Sequence, residues 1–345
     1  MNRYLYNKKS KKDLEKDLEK EDFSRITLSF YKYIPLSDLE QFRDTLYSDL
    51  INLSVLGRIY IASEGINAQI SIPEYQYDKI IDYIYSYNDL KDIQIKKAVE
   101  EGTSFYKLII KIKNEIVSYG VDKSDYNMNK VGKHLEPEVF NQQLADPNSI
   151  VVDIRNHYES EVGRFKDAII PDVHRSQDLL GEVKELLNGK EENKILLYCT
   201  GGIRCEKASS YLIKSGFKDV NQLKGGVVNY ANHVRENSLN SKFIGKNFVF
   251  DARMGERITQ DIISECHQCK EKADSHTNCA NDLCHLLFIQ CNNCNHKFKG
   301  CCCPECLDYY NLNDEMKAIN KQKFLDFNNN RLEGKVKPKL YNILN

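Results

Sequence analysis

Cys199 ends the apolar run Ile195-Leu196-Leu197-Tyr198 and is followed by Thr200-Gly201-Gly202-Ile203-Arg204-Cys205-Glu206-Lys207-Ala208. A cysteine at a strand end, leading through a glycine-bearing turn into a helix, is placed to hold negative charge. Backbone N–H groups of the turn and the helix N-terminus converge on the sulfur. Gly201 and Gly202 supply backbone freedom, and Arg204 adds a permanent positive charge. These residues predict a reactive Cys199 of lowered pKa, carrying charge as a thiolate or a persulfide. Cys205 reads in two ways: as a resolving thiol for an oxidised Cys199, or as a residue packed beneath the loop.

A second cluster has metal chemistry. Ten of the twelve cysteines lie between Cys266 and Cys306. They form short pairs: Cys266 with Cys269, Cys279 with Cys284, Cys291 with Cys294, and the run Cys301-Cys302-Cys303 ahead of Cys306. In a reducing compartment such pairs are zinc ligands before they are disulfides. Eight thiolates, Cys266, Cys269, Cys279, Cys284, Cys291, Cys294, Cys303 and Cys306, suffice for about two tetrahedral structural sites. A cross-braced arrangement and two consecutive knuckles both satisfy the spacing, and an iron–sulfur cluster is the lesser alternative. No glycine fingerprint of a dinucleotide site is present, so no organic cofactor is expected.

The elements that must position these residues fall into several units, as a chain of 345 residues allows. Residues 1–22 form a charged leader. Residues 23–125 alternate strand and helix patterns in a βαββαβ order, with the last strand placed near 106–112, which predicts a ferredoxin-like, acylphosphatase-like α+β sandwich. Residues 130–245 alternate strands and helices as in an α/β domain with a parallel sheet, its site at the carboxyl ends of the strands. Residues 246–310 are the cysteine-rich module, and the polar tail 311–345 has the composition of a disordered segment. The 49 Lys and Arg nearly balance 50 Asp and Glu, so any nucleic-acid surface must be a local patch. No apolar run reaches membrane-spanning length, and the N-terminus lacks a secretory core. A cytoplasmic protein is expected.

From Cys199 to Arg204 the loop has six residues. Cysteine-dependent phosphatases set their arginine one position further on, to wrap a phosphate. The shorter loop resembles that of rhodaneses, which hold a persulfide sulfur. Around it, Asp153-Ile154-Arg155 with Glu159, Glu161 and 163–169 is similar to the rhodanese opening. The run Leu223-Lys224-Gly225-Gly226 is similar to its close, with Tyr230 near the usual tryptophan. Asp153 and Arg155 are either supports of the loop or a weak surface pair.

Taken together, the three units resemble the bacterial rhodanese-domain tRNA uridine hydroxylases. The resemblance rests on Ala62-Ser63-Glu64-Gly65-Ile66-Asn67, Lys113-Asn114-Glu115-Ile116-Val117, Val131-Gly132-Lys133-His134-Leu135, the loop 199–207, Phe248-Val249-Phe250-Asp251-Ala252-Arg253, and Cys266-His267-Gln268-Cys269 with His276-Thr277-Asn278-Cys279. It implies oxygen-dependent hydroxylation at C5 of the wobble uridine of tRNA, with Cys199 essential, the anticodon region as partner and molecular oxygen as co-substrate. A plain rhodanese-type sulfurtransferase carrying a persulfide on Cys199 is the alternative. Candidate phosphate contacts are Lys107, Lys111 and Lys113, Arg253 and Arg257, and Arg331, Lys335, Lys337 and Lys339.

Overall fold

The computed structural model describes residues 9–173 and 176–332. The short helix α1 (Lys11–Leu18) is capped by Ser10, whose hydroxyl accepts from the Asp13 backbone. There follow β1 (Arg25–Tyr33), α2 (Leu39–Asn52), β2 (Leu56–Ala62), β3 (Gly65–Pro73), α3 (Tyr77–Ser86), β4 (Lys96–Lys97) and β5 (Leu108–Ile112). The sheet runs β4-β1-β3-β2-β5, and its first four places have the ferredoxin-like order. The strand at 106–112 is not the fourth member, as the periodicity predicts. Lys96 and Lys97 pair antiparallel with Ser29 and Leu28 and take that place, while β5 lies at the other edge, parallel to β2. Two residues are too few to show a strand period.

Alternation along the strands gives this sheet two unlike faces. Leu28, Phe30, Ile59, Ile61, Ala68 and Ile70 pack against Leu46 and Leu50 of α2 and Ile80 and Ile84 of α3. The opposite face carries Tyr31 and Tyr33, Arg58 and Tyr60, Asn67 and Gln69. These side chains are turned toward the next unit.

That unit contains β6 (Lys133–Leu135), α4 (Pro137–Gln143), β7 (Ser149–Asp153), α5 (His157–Val162), β8 (Gly163–Phe165), α6 (Leu179–Leu186), β9 (Lys194–Tyr198), α7 (Ile203–Lys214), β10 (Asp219–Leu223) and α8 (Gly226–Glu236). Its sheet, β6-β10-β9-β7, is parallel throughout. Ile195, Leu196, Leu197 and Tyr198 of β9 are all fully buried. A parallel strand covered on both faces reads as such a continuous apolar run. Cys199 stands just past its carboxyl end, where open α/β sheets hold their ligands.

The chain then adds β11 (Phe243–Asn247), antiparallel to β8 and to β12 (Glu256–Arg257). The hairpin of β13 (His276–Asn278) and β14 (Leu287–Ile289) follows, with helices α9 (Asn292–Phe298) and α10 (Pro304–Asn311). The disorder expected of the tail is corrected over 314–332, which form helix α11 (Asp314–Leu332). Met316 and Ile319 of its first half stay exposed, and the second half docks. Phe324 meets the Tyr309 ring with centroids 4.7 Å apart, and the Asn328 amide donates to the Leu283 carbonyl. Lys335, Lys337 and Lys339 lie outside the described residues. Among those described, no helix is long and apolar enough to cross a membrane.

Candidate active site and metal centres

The Cys199 side chain is fully buried, and its Sγ accepts the Gly202 N–H at 3.2 Å. Gly202 has φ 99°, and a Cβ there would stand 2.7 Å from the Tyr31 hydroxyl. Gly201 needs neither positive φ nor space. Only one of the two loop glycines is therefore required by the backbone. The other requirement comes from Gly226, at the start of α8. With φ 67° and a Cβ position 2.5 Å from the Cys199 carbonyl, it lets α8 approach the loop directly. The N–H groups of Val227 and Val228 donate to the carbonyls of Cys199 and Thr200.

Burial alone pushes the Cys199 thiol up. The thiol of Cys205, the Arg204 guanidinium and the N–H groups of Cys205 and Arg204 outweigh that and bring it down to about 6. Cys205, fully buried beneath the loop, is pushed well up by burial and by the neighbouring Cys199. It stays a protonated donor to the Cys199 sulfur. Arg204 is less free than its position in the sequence implies. It forms a fork with Glu159 at 2.6 and 2.8 Å, and Thr200 closes the ring by donating to Glu159 and accepting from Arg204. Glu159 is fully buried; desolvation pushes its carboxyl up, but Arg204 and the Asn156 N–H hold it below the usual range.

Asp153 and Arg155 are not a surface pair. Both are fully buried and bidentate, at 2.9 and 2.7 Å. Arg155 also donates to the Gly163 carbonyl, while Asp153 accepts from Ser160 and from the Tyr198 hydroxyl at 2.7 Å. The residue before Cys199 is thereby tied to the β7 end. Tyr230, in the place of the usual tryptophan, accepts from the Lys242 N–H and donates to Asn141.

A cavity of about 430 Å³ opens in front of the loop. Thr200, Gly201, Ile203 and Arg204 form one wall, and the polar face of the first sheet forms another through Tyr31, Arg58, Tyr60, Asn67, Gln69 and Lys96. Phe250 closes a third side; it is 41 % exposed, with the Arg204 guanidinium 5.8 Å from its ring centre. Phe250 lies in one of the motifs carrying the family resemblance, whereas Tyr31, Tyr60 and Lys96 give no sign in the sequence. Alternating strand residues announce a sheet face without saying what it faces.

The motifs around 62–67 and 113–117 converge on Lys207. Its buried Nζ reaches Glu115 at 2.9 Å, the Val117 carbonyl at 2.6 Å and Glu64 at 3.3 Å, and Glu64 accepts the Ile116 N–H. Beside it, Glu206 accepts from Tyr31 at 2.9 Å and from Gln222, with His134 at 2.8 Å. Two consecutive residues of α7 thus lock the first unit onto the second.

The cysteines gather into two groups, Cys266, Cys269, Cys291 and Cys294, and Cys279, Cys284, Cys302 and Cys306, the sulfurs of each within 4.8 Å of one another. The first pair joins the third and the second joins the fourth, so the arrangement is cross-braced. Cys302 stands where the spacing predicts Cys303. Cys303 instead occupies the N-cap position of α10 without a side-chain cap bond, and its sulfur receives Arg331 of α11 at 2.8 Å. Sulfur separations of 3.5–3.7 Å within the groups match the ~3.8 Å that tetrahedral Zn–S bonds of about 2.3 Å require. Both groups can hold a metal ion.

Of the candidate phosphate contacts, Arg253 is engaged by Asp251 and Glu256, Arg257 by Asp274, and Arg331 by the cysteine sulfurs. Lys111 and Lys113 are exposed.

Three family descriptions match in succession: an "UPF0176 acylphosphatase like domain" over 25–116, a "Rhodanese-like domain" over 136–233 and "Rhodanase C-terminal" over 244–307. The tRNA uridine(34) hydroxylase of Leptospira interrogans serogroup Icterohaemorrhagiae serovar Lai is 52 % identical over 98 % of this chain and 92 % of its own length. That of Yersinia enterocolitica serotype O:8 is 46 % identical over 90 % of this chain and 89 % of its own. Likeness of this degree over nearly the whole length places the chain in the tRNA uridine(34) hydroxylase family.

Proposed function

We propose that this protein hydroxylates C5 of the wobble uridine of tRNA to 5-hydroxyuridine, with Cys199 as the essential residue and molecular oxygen as co-substrate, one oxygen atom entering the base and the other leaving as water with two electrons from an external reductant. The observation carrying this reading is a thiol lowered to about 6 directly behind a cavity with aromatic and amide walls. Anticodon bases are single-stranded and can be splayed out, stacked on aromatic rings and read along their edges. Tyr60 and Phe250 offer the rings, and Asn67 and Gln69 offer both donors and acceptors to a uracil edge. A thiolate or persulfide reaching C6 of the ring leaves C5 electron-rich and open to an oxidant. The two cysteine groups hold one zinc ion each, as structural cross-links between β13, β14, α9 and α10. The work is cytoplasmic, where its tRNA substrate is found.

The test is nucleoside mass spectrometry on tRNA carrying an unmodified wobble uridine, incubated with purified protein and a two-electron reductant in air and under nitrogen. One added oxygen atom is expected in air only, with Cys199→Ser inactive and free uridine a poor substrate. Product formed without oxygen, or sulfur on the base, would overturn the reading.

A further inference from the structure

We propose that Lys96 is a substrate-contacting residue, its ammonium donating to a carbonyl oxygen of the base in the cavity and bearing the negative charge that builds there as C5 becomes nucleophilic. This rests on the reading of the cavity as the uridine site. In the short β4 strand Lys96 points inward and is 5 % exposed, while its neighbour Lys97 points out. Its Nζ lies 4.7 Å from the centre of the Tyr31 ring. Among the described residues it has no hydrogen-bond acceptor and no carboxylate within ion-pair distance. A buried ammonium without an acceptor is costly to keep, and the open side of this one is the cavity.

Its surroundings narrow the role. Tyr31 gives its hydroxyl to Glu206, Arg253 is held by Asp251 and Glu256, Arg204 by Glu159, and Arg58 reaches the Phe250 carbonyl. Among the described residues, Lys96 is therefore the cation of the cavity wall not already committed to a hydrogen bond or ion pair. Burial lowers it to about 8, against the raising influence of the Cys199 and Glu206 charges, so it remains largely protonated near neutrality. Uracil brings no charge into the site. Once C5 is made nucleophilic, electron density moves from the C5–C6 bond onto the C4 oxygen, and a preplaced donor acts on that oxygen.

Two measurements test this, using Lys96→Met and Lys96→Arg in the full chain. Met keeps the aliphatic volume and orphans no partner, so the melting temperature should stay level or rise. In the hydroxylation assay Lys96→Met should lower kcat about 100-fold with KM for tRNA within about threefold, and Lys96→Arg should recover part of the loss. Unchanged kcat, or a raised KM with a shallower salt dependence, would overturn the proposal, the latter marking a phosphate contact. The second measurement needs no turnover. An anticodon stem-loop with 6-azauridine at the wobble position, whose ring ionises near neutrality, should bind the protein about tenfold more tightly than its uridine counterpart. Lys96→Met should erase that preference; its persistence would remove Lys96 from the site. If the preference holds while the unaltered protein yields no 5-hydroxyuridine, the hydroxylation reading fails and the Lys96 contact stands.

Discussion

At the scale of single residues, the loop shows how a fully buried sulfur stays ionised. Desolvation opposes the thiolate, and two kinds of preplaced partner overcome it: N–H and S–H donors inside the turn, and a guanidinium behind it. A folded-state value near 6, below the ordinary 9.0, means that the thiolate's contribution to stability is complete above pH 9.0 and is lost as the pH falls through about 6. Alkylation of Cys199 by iodoacetamide should follow the thiolate fraction of the folded protein, with its midpoint near pH 6. Arg204→Ala should raise that midpoint by about one unit. Because it also leaves Glu159 buried without its partner, it should cost about 3 kcal/mol in stability. An unmoved midpoint would show that the turn's donors suffice without the guanidinium.

At the scale of elements, short segments make the decisive placements. Gly226 lets α8 touch the Cys199 carbonyl, and the two residues of β4 bring Lys96 to the cavity. In the cysteine-rich module, side chains one position apart have different work: Cys302 turns to the second cysteine group, while Cys303 meets Arg331. Metal analysis of purified variants separates the two. Cys302→Ser should lose about one ion per chain and loosen the module, since small metal-organised folds depend on their ligands. Cys303→Ser should keep the metal content of the unaltered protein. The reverse pattern would return Cys303 to the ligand set.

At the scale of the whole molecule, the cavity exists because the first unit presents its polar sheet face to the active-site loop. Lys207 and Glu206 hold it there. Lys207→Met strands Glu64 and Glu115 at that interface and should destabilise the chain by about 2–4 kcal/mol. Limited proteolysis within 113–132 should accelerate. Hydroxylation should fall although Lys207 is not among the cavity-lining residues; activity at the unaltered level would mean that the site survives without this latch.

The fold class was legible in the sequence because its signals are local. A buried parallel strand is a continuous apolar run, a thiolate loop needs its cysteine, glycine and helix start in immediate succession, and metal pairs are spaced by a turn. The family motifs at 62–67 and 113–117 were recognisable, but their reason was not, since both converge on Lys207 from distant parts of the chain. Local composition also misled. A polar tail hid a helix that docks through a few residues, and the spacing pointed to Cys303 where Cys302 joins the group. The tertiary structure alone decided that Cys302 turns to the second cysteine group, that Arg204 is shared with Glu159, that the short strand at Lys96 completes the ferredoxin-like order, and that one face of that sheet walls the cavity. Each of these depends on which side chains meet across long sequence separations, and that follows from packing the units together rather than from any one segment's pattern.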